Sequence, residues 1–203
     1  MNSFSEISNK IRDRLLNAIL DVFSQISYKK ASLRDIAKQA NVSKTLLFYY
    51  FQDKKMLYIS TFEFCSELIA DEIKKGQEIQ NETDFFEIIT YTQNLKFGLT
   101  NRYPKIFYFM KNAYCETDND IKQGIYDIRK KYITVDMASI FSKANFSKFK
   151  DGISSETALS IITWVAEGFV ASHNQTSDID ALRKEFDKYL DVLKKSFYKE
   201  KYL

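Results

Sequence analysis

The sequence predicts an all-α fold, and three observations predict it. The 203 residues include one proline and five glycines, which leaves little room for the tight turns a sheet requires. Apolar residues recur at intervals of three and four along most of the chain, the period of helices with one buried face. Ser, Asp and Asn fall just ahead of these stretches, where a side-chain oxygen can accept from the free N–H groups of a first turn. Together these signals place about nine helices. The length suits one small N-terminal domain and one larger second domain.

The first helix is expected over residues 5–27. Ile11, Leu15, Ala18, Ile19, Val22, Phe23 and Ile26 form its buried stripe, with Arg12, Arg14 and Asp21 pointing away. Tyr28 to Ala31 connect it to a helical hairpin. Ser32, followed three positions later by Asp35, resembles a capping box. Leu33, Ile36, Ala37 and Ala40 then give a narrow apolar face. Asn41 stops this helix, because Asn tolerates the left-handed conformation that a helix end needs. Ser43 caps a second helix over residues 44–51, with Leu47, Tyr50 and Phe51 on its inner side. Lys44, Thr45, Phe48 and Tyr49 face outward, with Leu46 at the border. A cation, a hydroxyl and two aromatics suit a helix lying in a DNA major groove, where Lys neutralises phosphate, Thr reads a base edge and apolar groups meet thymine methyls. Periodicity alone also allows a helical hairpin inside a larger bundle. Asp53 caps the next helix and sets Lys54 and Lys55 where phosphates would sit.

The stretch RDIAKQANVSKTLLFYYFQDKKML resembles the DNA-binding signature of the TetR/AcrR family of bacterial transcriptional regulators. The resemblance runs from about Arg14 to Leu57, about a fifth of the chain. Asn41 stands where that family usually has Gly, Ser27 replaces a frequent Gly before Tyr28, and Thr45 and Leu46 replace a Gly and a small polar residue. The last departure bears on which bases are read. The resemblance implies a helix-turn-helix domain over residues 1–53 and a helical regulatory and dimerisation domain over residues 54–203. It also implies a DNA-contacting set of Ser32, Arg34, Ser43, Lys44, Thr45, Leu46, Phe48, Tyr49, Tyr50 and Lys54.

Beyond the hairpin, a linking helix is expected over residues 54–75, with Leu57, Ile59, Phe62, Phe64, Leu68, Ile69 and Ile73 facing more than one neighbour. The polar run over residues 76–84 is the clearest linker. Five further helices are expected: residues 84–100, residues 104–116 opened by Pro104, residues 118–145, residues 154–174 capped by Ser154 or Ser155, and residues 177–199 capped by Ser177. In the fourth of these, Ile161, Val165, Gly168 and Ser172 leave a surface another backbone can approach. Leu182, Phe186, Tyr189, Leu190, Leu193 and Phe197 give the last a continuous stripe, with Phe186, Leu190 and Leu193 at the interface. Two copies of this pair would form a four-helix bundle about a two-fold axis. The same faces could instead close the chain's own core. The resemblance implies the dimer, and so a near-palindromic double-stranded operator.

Residues 61–203 hold 23 aromatics. Phe107, Met110, Tyr114 and Trp164 fall on helices that border the effector pocket in proteins of the resembled family, and an apolar pocket with a few hydroxyls suits a small, greasy or flat molecule. Two functions remain open: a repressor released by such a ligand, and a DNA-bound protein whose second domain contacts another protein with no small molecule.

Charge agrees with a nucleic-acid partner at one end. Residues 1–60 carry 10 Lys and Arg against 5 Asp and Glu, and residues 61–203 carry 20 against 22. One histidine leaves no His-based triad, and there is no Gly-rich phosphate loop, so no catalytic role, cofactor or metal is expected. Cys65 and Cys115 match no metal-ligand spacing and read as reduced thiols of a cytoplasmic protein. No apolar run reaches the ~18 residues that argue a membrane span, and no signal-peptide core is evident at the N-terminus.

Overall fold

The computed structural model describes residues 4–76, 82–134, 141–173 and 178–203. These form nine α-helices: α1 (Asn9–Gln25), α2 (Leu33–Ala40), α3 (Lys44–Phe51), α4 (Lys54–Lys75), α5 (Phe85–Gly98), α6 (Ile106–Tyr114), α7 (Asn119–Arg129), α8 (Ser155–Ser172) and α9 (Ile179–Phe197). An isolated antiparallel bridge joins Phe149 and Tyr198. Packing divides the chain into two compact units, residues 1–76 with 95–137 and residues 77–94 with 138–203.

In the first unit, α1 lies against α2 and α6. Being covered on two sides, it buries Leu16 and Leu20 as well as the predicted stripe from Leu15 to Phe23, whereas Ile11 is half-buried and Ile26, just past its last turn, stays partly exposed. The helix starts at Asn9 rather than near residue 5, because Phe4 and Ile7 leave the helical path to enter the core. Phe4 stacks on Phe64 with ring centroids 4.8 Å apart and lies 5.0 Å from Phe51.

Polar side chains fasten α1 at both ends. Near its start, Asp13 accepts from Arg102 Nη2 at 2.6 Å and from the Tyr103 hydroxyl at 2.8 Å, and Asn17 Nδ2 donates to the Arg102 carbonyl at 3.3 Å. Near its end, Asn112 Nδ2 donates to the Phe23 and Ser24 carbonyls at 3.0 and 2.9 Å. Partial burial works against the Asp13 charge, but the bonds from Arg102 and Tyr103 outweigh it and hold the carboxyl below its usual range. Burial first, then the Asp13 bond, pushes the Tyr103 hydroxyl up to about 12.

Helix α4 packs on α3, α6 and α7. Gly124 is what lets α7 approach: a Cβ there would lie 2.7 Å from Ile59 Cδ1. Helix α7 ends as an α-helix at Arg129, and residues 135–140 of the helix expected over 118–145 lie outside the described residues. Helix α7 continues as a wider π turn over Lys130–Thr134, where Lys131 pairs with Glu63 at 3.0 Å and the Tyr132 hydroxyl donates to Glu67 at 2.9 Å. Asn145 instead caps a short 3-10 turn, Phe146–Lys148. Pro104 does not sit in a first helical turn. Helix α6 starts at Ile106, whose N–H donates to the Tyr103 carbonyl at 3.0 Å, so Pro104 occupies the turn before it.

The second unit is built on aromatics. Phe85, Phe141, Phe146 and Phe149 cluster, and Phe86 packs edge-on against Tyr198. Asp84 is buried among them. It accepts from Lys148 Nζ at 2.6 Å, from the Tyr198 hydroxyl at 3.1 Å, and from the N–H groups of Phe86 and Glu87 that open α5. Ser154 caps α8 by accepting from Thr157 N–H, as expected. Ser177 lies outside the described residues, and Asp178 caps α9 by accepting from Asp180 N–H.

Candidate nucleic-acid interface

The hairpin is shaped by short-range bonds. Ser32 Oγ accepts from Arg34 N–H at 3.2 Å, and Ser43 Oγ accepts from Leu46 N–H at 3.1 Å. Asn41 adopts φ 50°, ψ 51°, the left-handed stop its residue type allows. Arg14 Nη2 donates to the Asn41 carbonyl at 3.3 Å, bracing the turn from α1. Asp21 ties α1 to α2, accepting from Gln39 at 2.6 Å and from Gln25 at 2.8 Å. After α3 the chain turns within three residues. Gln52 takes φ 60°, ψ −54°, and Asp53 N–H donates to the Phe51 carbonyl at 2.6 Å, a γ-turn of the rare, strained kind. Asp53 then caps α4 through Met56 N–H at 2.7 Å.

The two sides of α3 separate as its pattern predicts. Leu47 and Phe51 are fully buried against the hairpin, and Tyr50 is half-buried. Lys44, Thr45, Phe48 and Tyr49 lie exposed, Tyr49 at 77% of its surface, and Leu46 is half-buried at the border. The Lys44 ammonium lies over the Phe48 ring at 5.2 Å, and the Tyr49 and Tyr50 rings meet edge-on at 5.0 Å. Arg34 is exposed at the start of α2. Lys54 is engaged within its own chain: its ammonium donates to the Lys29 and Ala31 carbonyls at 3.0 and 3.2 Å and lies over the Tyr28 ring at 4.8 Å.

Residues 15–61 match the sequence pattern of the bacterial regulatory proteins, tetR family. Over these residues the chain is similar to the TetR family. The biofilm operon icaADBC HTH-type negative transcriptional regulator IcaR of Staphylococcus aureus (strain Newman) is 21% identical over 154 residues, 76% of this chain and 82% of that one. Among solved structures, the transcriptional regulator FadR from Bacillus subtilis in complex with stearoyl-CoA superposes with a TM-score of 0.71 at 20% identity, over 89% of this chain and 96% of that one. The fatty acid degradation regulator FadR from Bacillus halodurans gives 0.69 at 20% identity, over 88% and 96%. Likeness at this identity is likeness of fold.

The residues expected to meet an effector are drawn from both compact units. Phe107, Met110 and Tyr114 share a face of α6 in the first unit, where Phe107 contacts the Phe97 ring at 5.2 Å and Tyr114 contacts Phe62 at 5.6 Å. Trp164 belongs to the second unit and is 68% exposed on α8. The expected dimer set also divides. Phe186 and Leu190 are buried in the second unit, Phe186 against Phe169 at 5.2 Å. Ile161, Val165 and Leu193 are half-buried, and Gly168 and Ser172 are exposed. Tyr189 of the expected stripe is exposed, as is Val192 of α9, which lies outside it, at 60%. Among the described residues no group of three or more His, Cys, Asp or Glu is placed to hold a metal ion, and no helix is long and apolar enough to cross a membrane.

Proposed function

We propose that the chain is a homodimeric transcriptional repressor that binds a near-palindromic operator and is released from it by a small, largely apolar ligand. The observation that carries this reading is the outer face of α3. Lys44, Thr45, Phe48 and Tyr49 stand free of the core while Leu47 and Phe51 hold the helix to it. Residues 1–53 act as the DNA-binding domain and residues 54–203 as the regulatory and dimerisation domain, with α4 linking them. Repression is supported by IcaR, named as a negative regulator. Ligand control is supported by the FadR structure that holds stearoyl-CoA, and the aromatic face of α6 is where a greasy molecule would be accommodated here. A dimer is supported by the exposed apolar side chains of α8 and α9, Trp164 and Val192 foremost.

Selection of bound duplexes from a random pool tests the reading, and a near-palindromic site is the expected result. On the selected site, Tyr49→Ala should abolish specific binding yet leave thermal stability within about 0.5 kcal/mol, since the ring packs on nothing in the core. Unchanged affinity would sink the assignment of α3 as the reading helix.

A further inference from the structure

One strained residue turns the chain from α3 into α4. Gln52 takes φ 60°, ψ −54°, and across it the Phe51 carbonyl accepts from the Asp53 N–H at 2.6 Å. Among the described residues, Asn41 and Gln52 are the two non-glycines with positive φ. Asn41, at ψ 51°, sits in the left-handed region that its residue type tolerates. Gln52 has no such allowance, because a Cβ is crowded in a γ-turn of this hand. Its side chain is exposed, so burial does not offset the strain.

The neighbours of Gln52 hold it in place. Phe51 is fully buried, and its ring lies 5.0 Å from that of Phe4. Asp53 accepts from Met56 N–H at 2.7 Å, and the Lys54 ammonium donates to the Lys29 and Ala31 carbonyls. The Gln52 N–H itself donates to the Phe48 carbonyl at 3.0 Å. A residue pinned on both sides keeps a costly conformation because its surroundings over-determine it.

The consequence falls on α3. This short helix is held by Ser43 at its start and by the Gln52 turn at its end. A residue with a Cβ has few backbone choices near φ 60°, which makes the angle between α3 and α4 stiff, whereas glycine takes positive and negative φ alike. We propose that Gln52 is a positioning residue for base reading. Its restricted backbone, and not its side-chain amide, fixes the pose in which α3 presents Thr45, Phe48 and Tyr49 to the groove. This rests on the assignment of α3 as the reading helix. A loosened pose spoils base contacts, which need exact placement, and spares phosphate contacts, which carry no sequence information. The effect is therefore lost discrimination rather than lost binding.

The test compares Gln52→Ala with Gln52→Gly in the full chain, on the selected duplex and on a shuffled duplex of the same composition. Both variants remove the amide, and they differ only in the Cβ that restricts φ. Gln52→Ala should keep the wild-type ratio of selected to shuffled affinity. Gln52→Gly should lower that ratio roughly tenfold, the equivalent of one mismatched base pair. Its affinity for the shuffled duplex should hold, and it should melt no lower than Gln52→Ala, since strain has been relieved. Equal ratios in wild type and both variants, with Tyr49→Ala still abolishing discrimination, overturn the role of Gln52 and leave the α3 reading standing. A ratio that falls equally in both variants assigns the effect to the amide and overturns the backbone role. A Gln52→Gly protein that loses both duplexes together and melts below Gln52→Ala shows a merely structural turn, which also overturns it. Discrimination that survives Tyr49→Ala overturns the α3 reading and this inference with it.

Discussion

Lys54, proposed to meet a phosphate, also holds its own chain together. Its position at the start of α4 suits a phosphate, yet its ammonium bridges two carbonyls of the connection into α2. Lys54→Ala should therefore lower stability by about 1–2 kcal/mol as well as weaken binding to every duplex, a pairing that urea denaturation and a salt titration would register together. Asp84 sets a pH limit in the second unit. Burial alone would raise its pKa, but the bonds from Lys148, from Glu87 N–H and from Tyr198 lower it below the unfolded value. Stability from these bonds is thus complete above the unfolded carboxylate pKa of about 3.9 and is lost as pH falls through the folded value. Acid unfolding of Asp84→Asn should be flatter than that of wild type across this window; identical acid limbs would show that the carboxylate contributes nothing. Residue-scale features of this sort were partly legible. The caps at Ser32, Ser43, Asp53 and Ser154 and the left-handed Asn41 depend on neighbours a few positions away, so residue type announces them. The partners of Asp13 lie 89 and 90 positions distant, and no local pattern marks them.

Among the elements, the contact between α4 and α7 is the one most open to measurement. Gly124→Ala would ordinarily stabilise a helix by about 1 kcal/mol. Here the added methyl meets Ile59 Cδ1, so the substitution should be neutral or destabilising on its own. Ile59→Val removes that atom, and the double variant should recover at least about 0.5 kcal/mol relative to the sum of the single effects. Strict additivity would show that the helices separate freely at this point. The existence and order of α1 to α4 could be read from apolar spacing because each buries a periodic face. The end of α7 could not, since the change to a π turn coincides with the side-chain bonds that Lys131 and Tyr132 make to α4.

At the scale of the whole molecule, the proposed dimer has a direct check at Gly168. A Cβ there would meet nothing within 4 Å in the single chain. Gly168→Arg should leave helical content and melting of the isolated chain nearly unchanged while shifting sedimentation from dimer to monomer. The same variant should lose operator affinity, because two reading helices about 34–36 Å apart need two chains. A dimer that tolerates arginine at this position would move the interface elsewhere. Charge is also a property of the entire chain, and its basic end is the one that bears α3. Binding should accordingly weaken steeply with added salt.

Helix α1 touches residues 102–103 through Asp13 and Asn17 near its first turns, and Asn112 through the carbonyls of its last ones. A rod bolted at two points to a single bracket resists swivelling more than one held by either bolt alone. The Asp21 and Arg14 bonds extend the same connection from α1 to the hairpin beyond.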